Sequence, residues 1–318
     1  MNYYITTLLV YAGVDIIACI ALNMQFGVAG LVNFGFILFQ AAGAYTAAVL
    51  SLPPQSANGG FQFYILGLQL PFPIPWIAGG LVGGLLAIPI GLVVLRKLRG
   101  DFQAIALLVV SVVANLVITN ARPLFNGAAG LALVPAPLSD RVDATTIEYQ
   151  YVYVVITLLC VGLVLVAANQ IAYSPYGRSL RAMRDNEVAA AGLGKNLVAL
   201  KLTMFVIGGI MGGLSGAILV GFIGFWGPAG WLYPETIVLF AAIIVGGRGN
   251  NWGAIVGAIL VPIVFFEATR FIPALGPPGL VPALQWVVIA LCIMGFLWFR
   301  PRGLLPERRR RFAKSPAR

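Results

Sequence analysis

The chain has 318 residues, of which 60% are apolar and only 9% are charged, with a mean hydropathy of +0.95. Because soluble domains carry roughly 25% charged residues, this composition excludes a soluble globular protein and predicts an integral membrane protein. The formal net charge of +10 could suggest nucleic-acid binding. However, the basic residues lie in connections and in a tail beside apolar runs, so they indicate membrane topology and no nucleic-acid partner is expected.

Apolar runs of about 17 to 25 residues are long enough to cross a bilayer. In chain order they lie at 3–22, 31–51, 74–95, 102–120, 150–172, 202–224 and 282–299. Two shorter runs, at 233–246 and 252–267, are either shortened spans or a hairpin. The sequence therefore predicts an all-α, polytopic helical bundle with about eight to ten transmembrane helices, and residues 1–318 form one membrane domain. The first run lacks a preceding basic region, so it is expected to be a retained span rather than a cleaved signal peptide.

The distribution of Lys and Arg predicts the orientation, because these residues accumulate on the cytoplasmic side. Nine crossings with the N-terminus outside place seventeen of the twenty basic residues inside. These are three in 96–99, five in 174–201, Arg248 and the eight of the basic tail 300–318. Only Arg122, Arg141 and Arg270 then fall outside. We expect a cytoplasmic C-terminus and a cytoplasmic segment 174–201.

Segment 174–201 has the pattern of a short basic helix between two spans. Ser174-Pro175 is a helix-start signal, and Gly192 and Gly194 are expected to stop the helix. The arginines at 178, 181 and 184 recur every three residues, which predicts that they line one helix face. A solvated connector is the alternative interpretation of such a charged helix.

Three glycine clusters stand at 27–30, 127–130 and 227–230. Three interpretations are open. The clusters are coincidental in a Gly-rich chain, or they serve close helix packing. Alternatively, they mark broken helix ends around a pathway, where irregular backbone is tolerated at membrane depth.

Polar side chains inside spans are costly and therefore suggest function. The candidate substrate-path residues are Asn23, Asn33, Gln40 and Asn115, and the carboxylates Asp15 and Glu235 also fall in apolar runs. The spacing of Asn33 and Gln40 predicts that both amides lie on one face of the second long run. Structural hydrogen bonding between helices is the alternative role for the amides.

Several motifs, taken together and in order, resemble the permeases of bacterial ABC importers for branched-chain amino acids, a family that also includes urea permeases. The matching stretches are 23–36, 43–46, 98–105, 126–131, 174–187 and 300–304. Gly35-Phe36 departs from the family, because many relatives carry a Gly-His pair there.

The resemblance implies that segment 174–201 contains a coupling helix that docks onto a separate ATP-hydrolysing subunit. The residues implied in this contact are Gly177, Arg178, Leu180, Arg181, Met183, Arg184, Glu187 and Gly194, with Leu180 and Met183 filling an apolar cleft. The implied partners are ATP-binding subunits, a second homologous permease subunit, an extracytoplasmic solute-binding protein and membrane lipid. The implied location is the bacterial inner membrane.

Energy for transport is expected to come from a partner chain. A phosphate-binding loop needs Gly-x-x-x-x-Gly-Lys-Ser/Thr, whereas the chain's one Gly-Lys pair, Gly194-Lys195, follows Ala189 at the required position and precedes Asn196. The chain has no histidine, and its three cysteines lie apart in apolar runs, which excludes histidine-dependent catalysis. We therefore expect a transport subunit that is not an enzyme and holds no cofactor or metal, with ATP bound in the partner.

The expected function is inward transport of branched-chain or related hydrophobic amino acids. A urea or short-amide ABC permease is the first alternative. An ion-coupled secondary transporter is less favoured, because it should show an intramembrane relay of acids or histidines.

Overall fold

The computed structural model describes residues 2–55, 62–98, 100–139, 143, 146–265, 267, 280–300 and 302–307. Within these residues the chain forms helices and connecting segments but no strand. The α-helices are α1 Asn2–Asn23, α2 Ile37–Ser51, α3 Ile74–Lys97, α4 Gly100–Asn120, α5 Arg122–Phe125, α6 Ile147–Tyr173, α7 Pro175–Asp185, α8 Glu187–Gly192, α9 Leu197–Ile223, α10 Tyr233–Gly246, α11 Asn251–Ala258 and α12 Leu280–Phe299. Two π-helical segments, Met24–Val28 and Ile259–Phe265, extend α1 and α11.

Among the described residues, 6 helical stretches are long and apolar enough to cross a membrane. They are Tyr3–Val28, Ile74–Lys97, Phe102–Asn120, Ile147–Tyr173, Leu197–Ile223 and Pro228–Gly246. Shorter apolar helices lie at Ile37–Ser51, Asn251–Phe265 and Trp286–Phe299. The prediction of an all-α, polytopic membrane bundle is confirmed. The run predicted at 31–51 is shorter than expected, because its helix begins only at Ile37.

The basic residues of several connections meet at one end of the bundle, which we call the basic end. α3 reaches this end with Arg96 and Lys97 in its last turn, and α7 and α8 lie here between α6 and α9. The chain returns here after α10 and again after α12, where Leu304 N donates to Val245 O at 2.9 Å. Arg122 lies at the opposite end, with its guanidinium 5.3 Å from the ring centroid of Phe63. Arg99, Arg141 and Arg270 lie outside the described residues.

Glycines bring the backbones of α2, α3 and α9 into direct contact at the centre of the bundle. A Cβ on Gly216 of α9 would lie 1.8 Å from the carbonyl oxygen of Gln40, and a Cβ on Gly43 of α2 would lie 2.0 Å from that of Gly213. Neither position accepts a side chain without movement of a helix. Small residues allow this close packing in membranes, where helix association depends on van der Waals contact.

Two helix interruptions are linked through the starts of α2 and α10. After the π-helical segment, Gly30 adopts a φ of 75°. The chain then runs through a non-helical segment and a turn before α2 begins at Ile37. After α9, a 3₁₀ turn at Pro228–Gly230 precedes α10. The Ile37 amide donates to Thr236 Oγ1 at 3.2 Å, which ties the start of α2 to the start of α10. Each of the three glycine clusters in the sequence thus coincides with a helix interruption or a 3₁₀ turn.

Candidate functional site

The segment between α6 and α9 forms two helices rather than one. Ser174 caps α7 by accepting a hydrogen bond from Gly177 N at 3.1 Å, as the sequence predicted. The prediction of a single helix that continues to Gly192 was wrong. Asn186 adopts extended backbone angles, which end α7, and its side chain caps α8 by accepting a hydrogen bond from Ala189 N at 2.9 Å. An Asn favours such caps because its side-chain oxygen satisfies a free amide of the first turn. Gly194 follows α8 with a φ of 74°.

One face of α7 is buried within the chain itself. Gly177, Leu180 and Met183 are buried, and the last two have 0% exposure. Their side chains are enclosed by neighbouring parts of the same chain. In this conformation Leu180 and Met183 are not available to fill a partner's cleft, and their expected role in docking stays a prediction. A direct contact with a partner would involve the exposed residues of the segment.

The three arginines of α7 do not share one environment. Arg178 is exposed, whereas Arg181 and Arg184 converge on Glu307. Arg181 Nε lies 2.9 Å from Glu307 Oε1, and Arg184 Nη2 donates to Glu307 Oε2 at 2.9 Å. Each step of three residues rotates by about 300° around a helix, so Arg178 is turned about 120° away from Arg184 and lies off the face that contacts Glu307.

Arg184 also connects α7 to the interruption after α1. Its Nη1 donates a hydrogen bond to the carbonyl oxygen of Gly27. A Cβ built on Gly30 would lie 2.8 Å from Arg184 Cγ, so the glycine lets α7 lie directly against the chain at this point. A surface helix is therefore joined through one guanidinium to the π-helical end of α1, just before the non-helical segment that leads to α2.

Residues 302–307 form a strap across the basic end. The amides of Leu304 and Leu305 donate to the carbonyls of Val245 and Gly246, each at 2.9 Å, so the strap caps the end of α10. It ends at Glu307, which holds the two arginines of α7. Sequence reasoning missed Glu307, although it is the only carboxylate in 300–318 and a lone acid in a basic tail suggests an internal ion pair.

The exposed residues of α7, of α8 and just after α8 include Arg178, Ala182, Asp185, Val188 and Leu193. We call these five the docking face, after the role that the resemblance implies for this segment. Val188 is 83% exposed and Leu193 is 78% exposed. Glu187 is not counted in this face, because its carboxylate pairs with α9. A carboxylate oxygen of Glu187 lies 2.7 Å from Lys201 Nζ, which fastens α8 to α9. The result is a firmly held element that presents two apolar side chains beside an Arg and an Asp.

The buried amides form a hydrogen-bonded network where α1 ends. Asn23 Nδ2 donates to Asn251 Oδ1, and Asn251 Nδ2 donates to Asn169 Oδ1, both at 2.9 Å. Asn33 Nδ2 donates to Gln25 Oε1 at 2.9 Å. Gly249 N donates to Asn23 Oδ1 at 2.8 Å. The bonds of Asn23 and Asn251 join α1, α6 and α11 to the loop after α10, and the bond between Asn33 and Gln25 is a separate pair.

The structure separates the four candidate path residues. Asn33 precedes α2 and turns back to Gln25, so the prediction that Asn33 and Gln40 share a helix face was wrong. Gln40 is buried on α2. Asn115 Nδ2 donates to Pro228 O at 2.9 Å, next to the second interruption. Asn23 and Asn33 make the interhelical and loop contacts expected of structural amides, and a role in a substrate path stays a prediction for all four.

The two intramembrane carboxylates lie on different helices. Asp15 is partly buried on α1, and Glu235 is exposed in the first turn of α10. Neither carboxylate makes a salt bridge with another described residue. Within the described part of the chain, no group of three or more His, Cys, Asp or Glu side chains could hold a metal ion.

Broken helices at membrane depth inside an apolar bundle are typical of membrane transport proteins. The chain belongs to the family described as the branched-chain amino acid transport system permease component, whose model matches residues 4–297.

The chain is similar to relatives from bacteria and archaea. It is 27% identical over 315 residues to the high-affinity branched-chain amino acid transport system permease protein LivM of Salmonella typhimurium, covering 92% of this chain and 68% of that protein. It is 26% identical over 337 residues to a probable branched-chain amino acid transport permease protein LivM of Methanocaldococcus jannaschii, covering 96% of this chain and 94% of that protein. It is also 24% identical over 220 residues to the ribose import permease protein RbsC of Haemophilus influenzae, covering 64% of this chain and 63% of that protein. No solved structure is significantly similar to the chain.

Proposed function

We propose that this permease is the transmembrane subunit of an ABC importer for branched-chain or related hydrophobic amino acids. ATP is hydrolysed in separate ATP-binding subunits, a second permease subunit completes the pathway, and an extracytoplasmic solute-binding protein delivers the substrate. The family assignment and the names of the two LivM relatives support the substrate class. The basic end faces the cytoplasm of the bacterium, in agreement with the positive-inside rule.

The contact that carries this proposal is the hydrogen bond from Arg184 to the carbonyl oxygen of Gly27. A force applied to α7 by an ATP-binding subunit acts directly on the interruption between α1 and α2. That interruption is hydrogen-bonded in turn to the start of α10, through Ile37 and Thr236. The chain thus contains a continuous set of contacts from the surface at the basic end to the middle of the bundle, as alternating access around a central pathway requires.

The docking face has the properties of a protein contact. Two exposed apolar side chains lie at an end of the bundle that carries many charges, and a contact would remove them from water. Arg178 and Asp185 are also exposed at this end and offer specificity through charge pairs. Because α7 and α8 are fixed to α6, α9 and the strap, movement of the docking face cannot occur without movement of the spans.

The direct test is transport by the assembled complex in proteoliposomes. We expect leucine uptake that requires ATP on the side of the basic end and requires the solute-binding protein. The uptake should persist when a protonophore collapses the proton gradient. Transport of urea without any amino acid would establish the urea or short-amide alternative, and uptake abolished by the protonophore but independent of ATP would establish a secondary transporter.

A further inference from the structure

Three crevices follow one another along the last turns of α12, and their lining changes from apolar to basic toward the basic end. The first has a volume of about 360 Å³ and lies between α10, α12 and the π-helical extension of α11. Its walls are apolar side chains, including those of Ala241, Val245, Val261, Val264, Ile289 and Phe296. The second crevice shares Phe296 with the first and reaches Arg300. The third is lined by Arg300, Arg302 and three further residues of the strap, Gly303, Leu304 and Pro306.

We propose that these crevices form a binding site for one anionic phospholipid of the leaflet at the basic end. An acyl chain occupies the apolar crevice, and the phosphate lies on Arg300 and Arg302. Basic pockets next to transmembrane helices on the cytoplasmic side are suited to such head groups. This site is independent of the transport proposal, because it depends on neither the substrate nor the ATP-binding subunits.

The length of the site matches a single leaflet. Ile289 and Arg300 are eleven residues apart on and just beyond α12, which corresponds to about 16 Å at a rise of about 1.5 Å per residue. The hydrocarbon core of a bilayer is about 30 Å thick, so one leaflet contributes about half of that. The guanidinium groups therefore stand one leaflet's depth from the far end of the apolar crevice.

The charges at the mouth of the site are available for a phosphate. Arg300 and Arg302 are exposed, and neither makes an ion pair with another described residue. This distinguishes them from Arg181 and Arg184, whose charges are neutralised by Glu307. Arginine binds phosphate oxygens with two parallel hydrogen bonds, so the pair suits a phosphodiester.

The carbonyl oxygens at the end of α10 oppose an anion at the mouth less than free carbonyls would. The carbonyl oxygens at the end of α10 would carry partial negative charge, but Val245 O and Gly246 O accept hydrogen bonds from the strap amides. Six more basic residues follow in 308–318, and a polybasic segment beside a span attracts an anionic leaflet. An apolar helix packed in the first crevice would account for that crevice alone, whereas one anionic lipid accounts for both the apolar crevice and the two arginines.

The test is lipid binding to the purified, delipidated full-length chain, measured by native mass spectrometry. Phosphatidylglycerol and phosphatidylcholine with identical acyl chains are added at equal concentration. We expect the wild type to bind phosphatidylglycerol more tightly than phosphatidylcholine by on the order of tenfold, because phosphatidylglycerol is anionic, whereas the choline cation of phosphatidylcholine offsets its phosphate and is repelled by the two arginines. The double variant R300Q/R302Q should lose this preference.

Two further variants separate charge from shape. R96Q/K97Q removes the same charge from the end of α3, where both side chains are also exposed, and it should retain the preference. V264W fills the apolar crevice and should weaken binding of both lipids equally. The proposal is overturned if R300Q/R302Q still prefers phosphatidylglycerol, if R96Q/K97Q loses the preference to the same degree, or if V264W changes neither lipid. The single variants R300Q and R302Q serve if the double variant does not yield monodisperse protein.

Discussion

Arg184 Nη2 lies 2.9 Å from Glu307 Oε2 although the two residues are 123 positions apart in the sequence, and the same guanidinium donates to the carbonyl oxygen of Gly27. This contact fastens the C-terminal strap, α7 and the interruption after α1 at one place. Both side chains are largely buried, with 19% and 18% exposure, so solvent screens the pair only in part. Charge-assisted hydrogen bonds of this kind each contribute about 1.5 to 3 kcal/mol.

Replacing Glu307 by Gln should destabilise the basic end, because the charges of Arg181 and Arg184 would lose their shared carboxylate. We expect a loss of about 1 to 3 kcal/mol in the free energy of unfolding, measured by denaturant titration in detergent. Asp185→Asn is the matched control, because Asp185 also contacts Arg184 but is 63% exposed. Surface pairs contribute about 0 to 1 kcal/mol. Equal effects of the two variants would contradict the anchoring role of Glu307.

Adding charge to the docking face should prevent assembly without unfolding the chain. In the variant V188D/L193D, both replaced side chains are exposed, so we expect normal yield and normal thermal stability. A contact with an ATP-binding subunit would then have to bury two carboxylates in place of apolar groups, which is costly. We expect co-purification of the ATP-binding subunit to fall by at least about tenfold, equivalent to about 1.4 kcal/mol.

The control for this experiment is L133D, because Leu133 is 76% exposed at the opposite end of the bundle. It should leave co-purification unchanged. Charge reversal of Arg181 and Arg184 is a poorer test, because it also breaks the strap. Arg178→Glu reverses an exposed charge on the docking face alone. Wild-type recovery of the ATP-binding subunit with both V188D/L193D and R178E would count against docking at α7 and α8.

The amide network should show energetic coupling between Asn23 and Asn251. Interhelical hydrogen bonds in membrane proteins average about 0.6 kcal/mol and reach about 1.7 kcal/mol in double-mutant cycles. We expect a coupling energy in this range from the single variants N23A and N251A and the double variant. Unfolding in a detergent and denaturant mixture provides the measurement. The pair N23A and N120A is the control and should be additive, because Asn120 bonds within its own helix, to Leu116 O.

The spans and helix caps could be predicted from the sequence because their causes are local. Apolar runs determine where the chain crosses the membrane, and Ser174 caps α7 through an amide three residues away. The interruption before Ile37 could not be predicted from hydrophobicity, because apolar residues continue across it. The glycine cluster at 27–30 allowed a broken helix end as one of three interpretations, and the contacts with α10 and α7 became visible only in the packed bundle. The Glu307 anchor and the link from Asn251 to Asn169 join residues far apart in sequence. Their geometry depends on the packed bundle.

The contact between α2 and α9 predicts a sharp difference between two glycines that are both inside long helices. In Gly216→Ala, the new Cβ would meet the carbonyl oxygen of Gln40 at 1.8 Å, so α2 and α9 must separate. We expect a loss of about 1 to 3 kcal/mol, as for other overpacked positions. In Gly162→Ala on α6, nothing lies within 4 Å of the new Cβ. Because Ala is a better helix former than Gly by about 1 kcal/mol, this control should be neutral or stabilising. Thermal unfolding in the same detergent compares the two, and a G216A midpoint at or above that of G162A would show that α2 and α9 do not pack through this glycine.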